Sequence, residues 1–242
     1  MNSTLCFDFG NTRLKVAIFE NDQFVKEILL EDDSIATIQQ ILDAYQPQKT
    51  ILSSVIEHNP EIEILLASKT KFHKLSHLTQ VNFTTPVGKP DSIGADRLAL
   101  VAAAVHFFPK QNNLVIALGS CITYNFINQR HEFIGGAISP GMEMRFKSMH
   151  EHTAKLPFVE KDWNFPLIAY DTKTNLQSGV IAGITFEIAG FIEFYAKNFD
   201  NFNVVLTGGD AAYFVRHLKK GIFADSNFLY KGLYALSETN NV

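Results

Sequence analysis

The chain repeats one pattern, a strand, a glycine turn and a second strand, and this repeat limits the possible folds more than any other feature. The first copy covers residues 5–19 and turns at Gly10-Asn11, and the second covers residues 114–127 and turns at Gly119-Ser120. The predicted third strands of the two copies are residues 24–30 and 132–137. Helix-rich sequence follows each copy. The repeat therefore predicts an α/β fold made of two duplicated domains with a central cleft between them.

Residues 109–113, Pro-Lys-Gln-Asn-Asn, interrupt the pattern between the two copies. Proline and consecutive asparagines favour a loop over a continuing helix or strand. We therefore predict an N-terminal domain of residues 1–112 and a C-terminal domain of residues 113–242. With 242 residues, each domain is long enough to bury a core.

Composition favours a soluble protein. Apolar residues make up 46% of the chain and charged residues 19%, and the net charge of -4 gives no reason to expect nucleic acid or an anionic membrane as a partner. Asp8 and Gly10 interrupt the early apolar run, so no secretory signal is expected. The apolar run 98–108 is too short to span a bilayer. We expect a cytoplasmic protein whose Cys6 and Cys121 are packed as small apolar side chains.

The first glycine turn has side chains suited to phosphate chemistry. Asp8, Thr12, Arg13 and Lys15 surround a turn whose backbone N–H groups are predicted to be exposed. Such a turn can bind a phosphate, and the carboxylate can bind Mg²⁺, which prefers oxygen ligands. The alternative is an ordinary hairpin in which Asp8 and Thr12 satisfy the turn amides. These residues alone leave both interpretations open.

Two later segments combine strand ends with glycines. Residues 135–141 read Gly-Gly-Ala-Ile-Ser-Pro-Gly, and residues 207–210 read Thr-Gly-Gly-Asp. The second follows a buried-type strand and precedes a predicted helix that extends to about residue 220, so it could admit a nucleotide against the backbone. The alternatives are a flexible loop and a short strand-to-helix turn. The other predicted helices are 34–45, capped by Ser34, 60–68, 98–108, 142–156, 171–199 and 229–236.

Taken together, the motifs resemble those of the type III pantothenate kinases, in the acetate/sugar kinase–Hsp70–actin superfamily. They occur in the family's order over nearly the whole chain: Asp8-Phe9-Gly10-Asn11-Thr12, Gly94-Ala95-Asp96-Arg97, Gly119-Ser120, Gly135 to Gly141, Thr153 to Pro157, Gln177-Ser178-Gly179 and Thr207-Gly208-Gly209. The resemblance implies two ribonuclease-H-like domains of the actin-like ATPase fold, ATP in the cleft, and a homodimer.

The resemblance also implies the reaction: ATP-dependent phosphorylation of pantothenate to 4'-phosphopantothenate, the first step of coenzyme A biosynthesis. It assigns ATP binding to Asp8, Phe9, Gly10, Asn11, Thr12, Arg13, Leu14, Lys15 and Ser120. Asp8 is then also the ligand of the Mg²⁺ that arrives with ATP. Pantothenate binding falls to Gly94, Ala95, Asp96, Arg97 and Thr172.

The resemblance makes Asp96 the catalytic residue that accepts the proton of the substrate hydroxyl. A positioned carboxylate can perform that step, and Arg97 can clamp a carboxylate or a phosphate. Taken without the family, Asp96 reads as an acidic residue at a helix N-terminus, and Arg97 reads as part of a surface ion pair.

Three positions depart from the family pattern. Ala117 stands where the family has an Asp that binds potassium or ammonium, which puts that monovalent cation in doubt. Asn125 replaces a common Asp, and Val87 replaces a frequent Tyr of the substrate pocket. Two alternatives follow: a catalytically weakened member that binds nucleotide or pantothenate in a regulatory role, and a kinase of a related small hydroxyl substrate. Retention of Asp8, Asp96 and Arg97 favours the active pantothenate kinase.

Overall fold

The computed structural model describes residues 3–85, 92–218 and 222–241. Its chain divides into two compact units. The first unit contains Met1–Lys110, Arg130–Ile134 and Asn227–Val242, and the second contains Gln111–Gln129 and Gly135–Ser226. The predicted division after residue 112 stays a prediction. It lies close to the end of the longest segment of the first unit, but the structure packs residues 130–134 and the C-terminal segment with that unit as well.

The first unit contains a five-stranded sheet. Its strands are β1 (Ser3–Phe9), β2 (Leu14–Glu20), β3 (Gln23–Leu29), β4 (Lys49–Ser54) and β5 (Lys71–Lys74), in the spatial order β3-β2-β1-β4-β5. The strands β1, β2 and β3 pair antiparallel, whereas β4 pairs parallel to both β1 and β5. β1 is therefore central, and its buried Leu5, Phe7 and Phe9 lie in the core of this unit.

The second unit repeats this arrangement strand for strand. Its sheet has the strands β6 (Asn112–Leu118), β7 (Cys121–Ile127), β8 (Phe133–Pro140), β9 (Phe202–Thr207) and β10 (Phe223–Ala224), in the order β10-β9-β6-β7-β8. The first two residues of β8 are counted with the first unit. β6 pairs antiparallel with β7 and parallel with β9, as β1 does with β2 and β4. The predicted duplication is confirmed. The sequence did not indicate the two-residue strand β10.

The helices are α1 (Ile35–Tyr45), α2 (Glu61–Lys69), α3 (Ala95–Phe107), α4 (Met142–Glu151), α5 (Thr172–Gln177), α6 (Gly183–Asn198), α7 (Ala211–Phe214) and α8 (Phe228–Asn240). Ser34 caps α1 as predicted, because its hydroxyl accepts a hydrogen bond from the Thr37 N–H. A π-helical segment, Ser178–Ala182, joins α5 to α6 within the predicted long helix.

Two helix predictions are wrong in length. α4 ends at Glu151 rather than near residue 156, and the Thr153 hydroxyl donates to the Met149 carbonyl at its end. Pro157 also disfavours helical backbone at the residue before it. α7 forms a single turn and continues only as a short 3-10 segment, because Leu218 adopts an extended backbone.

The C-terminal helix α8 packs against α3 within the first unit. A Cβ at Gly232 would lie 2.0 Å from the Ala99 carbonyl oxygen, so only glycine permits this approach of the two helices. This contact places Tyr230 and Tyr234 beside the first sheet, where the Tyr234 ring stacks on Phe19.

One helical stretch of the described chain, Thr172–Asn198, is long and apolar enough to cross a membrane by length and composition alone. A core helix of a soluble protein passes the same test, and Ile181, Ile184 and Ile188 of this stretch are buried in the second core. The opposite side of α6 exposes Phe186 and Phe194, which are 62% and 61% accessible.

Candidate active site

The first glycine turn connects the central strand β1 to β2. The Gly10 N–H donates to the Arg13 carbonyl across the turn, at 3.1 Å, and Asn11, Thr12 and Arg13 are exposed. Phe9 is fully buried and Leu14 is half-buried. Phe9 therefore has only its backbone to offer a ligand, whereas the turn itself is open to solvent. The structure thus makes the turn accessible, as phosphate binding requires.

Asp8 lies at the end of β1, between Lys15 on β2 and Ser53 on β4 in the strand register. Burial and, to a smaller extent, the negative charge of Asp96 together raise the pKa of Asp8 to about 7, even though the Lys15 ammonium acts in the opposite direction. Asp8 and Asp96 thus lie within electrostatic reach of each other in the first unit, although they are far apart in sequence. Perturbed carboxylates of this kind are typical of functional sites.

Asp96 sits in the first turn of α3, which Gly94 precedes. A Cβ at Gly94 would lie 2.7 Å from the Asp96 Oδ1, so the glycine leaves room for the carboxylate. The carboxylate accepts a hydrogen bond from the Arg97 backbone N–H, while burial raises the pKa of Asp96. Asp96 is therefore an acidic residue at a helix N-terminus, as one interpretation predicted, and its charge also acts on Asp8.

The Arg97 guanidinium lies over the ring of Phe133, 5.5 Å from its centroid. Phe133 in turn contacts Phe83 edge-on, at 6.3 Å between ring centroids. The N–H of Phe133 donates to the Thr84 carbonyl, which fixes the segment that carries this ring. Arg97 thus has an aromatic support in addition to the nearby Asp96 charge, and such stacking suits a guanidinium.

In the second unit, the Gly119-Ser120 turn connects β6 to β7. A Cβ at Gly141 would lie 2.1 Å from the Gly119 carbonyl oxygen, and one at Gly208 would lie 2.4 Å from the Leu118 carbonyl oxygen. Two strand-to-helix segments therefore pack directly on this turn through glycine. This close approach explains Gly141 and Gly208, one glycine of each group that the sequence places near residues 135–141 and 207–210.

Ala117 occupies in the second sheet the register position that Asp8 occupies in the first. Thr123 and Thr207 flank it where Lys15 and Ser53 flank Asp8. The Thr207 side chain is buried, and its hydroxyl has no hydrogen-bond partner among the described residues. The second sheet thus lacks the carboxylate at the position that has one in the first sheet.

The remaining predicted positions lie as follows. Thr172 is the exposed first residue of α5, and Asp171 caps that helix through the Thr174 N–H. Asn125 is fully buried and donates to the Val115 carbonyl and the Thr123 hydroxyl. Val87 lies outside the described residues.

Within residues 3–85, 92–218 and 222–241, no group of three or more His, Cys, Asp or Glu side chains could hold a metal ion. A metal cage formed by the protein alone is therefore not indicated there. Mg²⁺ commonly uses only one or two carboxylates together with substrate phosphates, and Asp8 fits that mode because it lies beside an open turn.

Three residues that support Lys15 and Arg97 could not be identified from the sequence. Glu27 on β3 pairs with Lys15, Tyr230 on α8 donates to Glu27, and Phe133 supports Arg97. Their roles depend on contacts between distant segments, and no local spacing indicates them.

Comparison with known proteins decides the family. A family model described as type III pantothenate kinase matches residues 4–194, which is more than half of the chain. The chain belongs to the type III pantothenate kinase family. Curated type III pantothenate kinases of Christiangramia forsetii and Flavobacterium johnsoniae are 39% and 38% identical to it, over 98% and 95% of both chains respectively. The recognition from ordered motifs is confirmed.

Solved structures give the fold. A Campylobacter jejuni protein described as a conserved putative Baf family transcriptional activator aligns with a TM-score of 0.63 at 23% identity, over 98% of both chains. The activator of 2-hydroxyisocaproyl-CoA dehydratase from Clostridium difficile, with bound ADPNP, aligns with a TM-score of 0.54 at 13% identity, over 99% of this chain and 94% of that one. At these identities the matches show the fold alone, and they confirm the actin-like ATPase fold for this kinase family member.

The raised pKa of Asp8 predicts how stability depends on pH. The carboxyl titrates at about 7 in the folded state and near its ordinary value of 3.8 in the unfolded state. Stability therefore falls as pH rises from 4 to 7, by a total on the order of 4 kcal/mol. Asp8→Asn removes this group, so we expect the variant to unfold at higher urea than wild type near pH 8, with a difference that shrinks at acid pH.

Urea unfolding without nucleotide or metal measures this effect. Asp43→Asn is the control, because Asp43 is an exposed carboxylate on α1. An Asp8→Asn difference that is the same at alkaline and acid pH would contradict the assignment.

Proposed function

We propose that this chain phosphorylates pantothenate with ATP, the activity for which its family is named. In this reaction the substrate hydroxyl oxygen attacks the γ-phosphorus, and the bond from that phosphorus to the bridging oxygen breaks to release ADP. Phosphoryl transfer of this type depends on alignment and on charge neutralisation more than on covalent help from the protein. The proposal therefore needs an anion-binding turn, a metal-binding carboxylate and a proton acceptor.

The observation that best supports the proposal is that the carboxylates of Asp8 and Asp96 lie within electrostatic reach of each other in the first unit. We assign the proton of the substrate hydroxyl to the Asp96 carboxylate, because burial raises the pKa of Asp96 and makes it a stronger base. Asp8 would bind the Mg²⁺ of Mg-ATP, and that ion would neutralise charge on the phosphates. A cation at this position would also relieve the repulsion between the two carboxylates.

The remaining roles are assigned by unit. In the first unit, residues 8–15 would bind ATP phosphates, and Gly94, Ala95 and Arg97 would contact pantothenate, with Arg97 able to clamp its carboxylate. In the second unit, Ser120 would contact ATP and Thr172 would contact pantothenate. A cytoplasmic location and the absence of nucleic-acid and membrane partners stay predictions.

Ala117 favours a second candidate, a weakened family member that binds nucleotide or pantothenate in a regulatory role. Its side chain has no oxygen for a monovalent cation, and the neighbouring Thr207 hydroxyl is buried without a partner among the described residues. A kinase of a related small hydroxyl substrate stays the other alternative. We prefer the active kinase, because the pKa values of Asp8 and Asp96 are both raised. A raised carboxyl pKa lowers the stability of the folded state at neutral pH.

The first experiment measures ADP release with Mg-ATP and pantothenate. We expect turnover by the wild type and a loss of roughly 10²–10⁴ in kcat for Asp96→Asn, because the proton acceptor is removed. Calorimetry should show that the variant still binds Mg-ATP. Absence of wild-type turnover despite clear ATP binding would favour the regulatory candidate, and turnover only with another acceptor would favour the related kinase.

Ala117→Asp tests the monovalent cation. We expect the wild-type rate to be the same across a potassium titration and the variant's rate to increase with potassium, because the substitution restores a negatively charged oxygen ligand. Ala117→Asn is the matched control, since it has similar size without the charge. A variant rate that does not change with potassium would contradict our interpretation of this position.

We also propose a homodimer that forms through the exposed face of α6, defined by Gly183, Phe186, Gly190 and Phe194. A Cβ at either glycine would meet nothing within 4 Å inside the chain, although glycine in a helix costs about 1 kcal/mol relative to alanine. Small residues between exposed aromatic side chains permit close approach of a second helix. A second copy of this chain supplies such a helix.

Phe186→Glu tests this dimer. We expect association to weaken by roughly 30-fold or more, because a charge replaces an aromatic side chain at the centre of the interface. Sedimentation velocity over a concentration series measures the effect. Ile64→Glu is the control, because Ile64 is a 70% exposed apolar residue on α2 in the first unit. Equal association of Phe186→Glu and Ile64→Glu in this experiment would argue against this interface.

A further inference from the structure

Lys15 is held by a carboxylate that lies outside the glycine turn. Its Nζ lies 2.8 Å from the Oε1 of Glu27 on β3. The other oxygen of this carboxylate, Oε2, accepts a hydrogen bond of 2.7 Å from the Tyr230 hydroxyl on α8. Each oxygen of Glu27 thus has a partner, one from β2 and one from the C-terminal helix, and the carboxylate is fixed at two points.

Tyr230 is itself fixed in place. Its side chain is buried, and its ring stacks on Phe24 with 6.4 Å between centroids and 17° between planes. The Phe24 ring belongs to β3, the strand that carries Glu27. The hydroxyl therefore reaches Glu27 from a rigid support, with little conformational entropy to lose on forming the hydrogen bond.

The alternative partner of Lys15 is Asp8. The two residues are directly opposite each other in the β1–β2 register, and the Lys15 charge acts on the Asp8 carboxylate. A lysine side chain is flexible and can turn to whichever carboxylate attracts it more strongly. If Glu27 did not hold Lys15, the two groups could pair directly. Such a pair would withdraw the ammonium from the phosphates and the carboxylate from the metal.

We propose that Glu27 and Tyr230 are positioning residues that hold Lys15 away from Asp8, so that both groups stay available to Mg-ATP. The inference rests on the proposed function, because it takes Lys15 and Asp8 as groups that bind the nucleotide and its metal. In this proposal Glu27 and Tyr230 act on Mg-ATP binding through Lys15 and touch neither substrate.

Tyr230→Phe is the decisive variant, because it removes only the hydroxyl. We expect KM for ATP and the calorimetric Kd for Mg-ATP to rise about tenfold, since a hydrogen bond to a charged group is lost. The kcat and the KM for pantothenate should not change. Glu27→Gln, which removes the charge that holds Lys15, should weaken Mg-ATP binding further.

Tyr234→Phe is the matched control. Tyr234 lies one turn further along α8, and its hydroxyl also donates to a carboxylate, that of Asp22 in the β2–β3 turn. We expect no change in Mg-ATP binding for this variant. In a Lys15→Met background, Tyr230→Phe should have no additional effect, because a residue that acts through Lys15 cannot act in its absence.

Three results would overturn the proposal: equal weakening in both tyrosine variants, an unchanged Kd in Tyr230→Phe, or full additivity with Lys15→Met. Tighter binding in Tyr230→Phe would also overturn it, since Glu27 would then compete with the phosphates for Lys15. If the wild type binds Mg-ATP but does not phosphorylate pantothenate, the proposed function fails while the Kd values still decide this inference. A wild type that binds no ATP overturns both.

Discussion

The first unit holds two half-buried carboxylates, Asp8 and Asp96, within electrostatic reach of each other, and the negative charge of Asp96 disfavours ionisation of Asp8. Asp8 lies near the end of the central strand β1, which pairs with β4. Asp96, in the first turn of α3, is close enough for its charge to act on Asp8. Neither ionised carboxylate stabilises the fold, because burial disfavours ionisation of both, and the negative charge of Asp96 adds to this effect at Asp8. Under the proposed function, Asp8 would bind a cation and Asp96 would accept a proton, the two species that phosphoryl transfer to an alcohol requires.

The duplicated sheets show how one scaffold has acquired two different electrostatic environments. The same register position holds Asp8 in the first sheet and Ala117 in the second, and the flanking positions change from Lys15 and Ser53 to two threonines. The first sheet thus concentrates charge beside its turn. In the second, glycines bring two backbone segments onto the turn, which favours binding through N–H groups rather than through side-chain charge. The second sheet therefore has no side-chain carboxylate at this register position, although its strand pairing is the same as in the first.

The sequence could predict what depends on local chemistry. The first two strands and their turn, the Ser34 cap and the duplicated strand order all follow from spacing and residue type, and the ordered motifs identified the family. Other features depend on contacts between distant segments. Gly232 lets α8 approach α3 in the first unit, although α8 follows the second sheet in the chain, and β10 has only two residues. The pairing of Tyr230 with Glu27 spans 203 residues, so no periodicity could reveal it.

The cations of the first unit have supports besides the carboxylates. Lys15 lies opposite Asp8 in register and yet pairs with Glu27, and Arg97 follows Asp96 directly in sequence and yet lies over the Phe133 ring. A cation that fully neutralised Asp8 would compete with a metal, and one that fully neutralised Asp96 would lower its basicity. Under the proposed function, both supports would keep positive charge near the carboxylates, available to a phosphate or a substrate carboxylate, without neutralising Asp8 and Asp96 fully. The positions of Lys15 and Arg97 in the candidate site therefore depend on Glu27, Tyr230 and Phe133 as well as on the motifs that contain them.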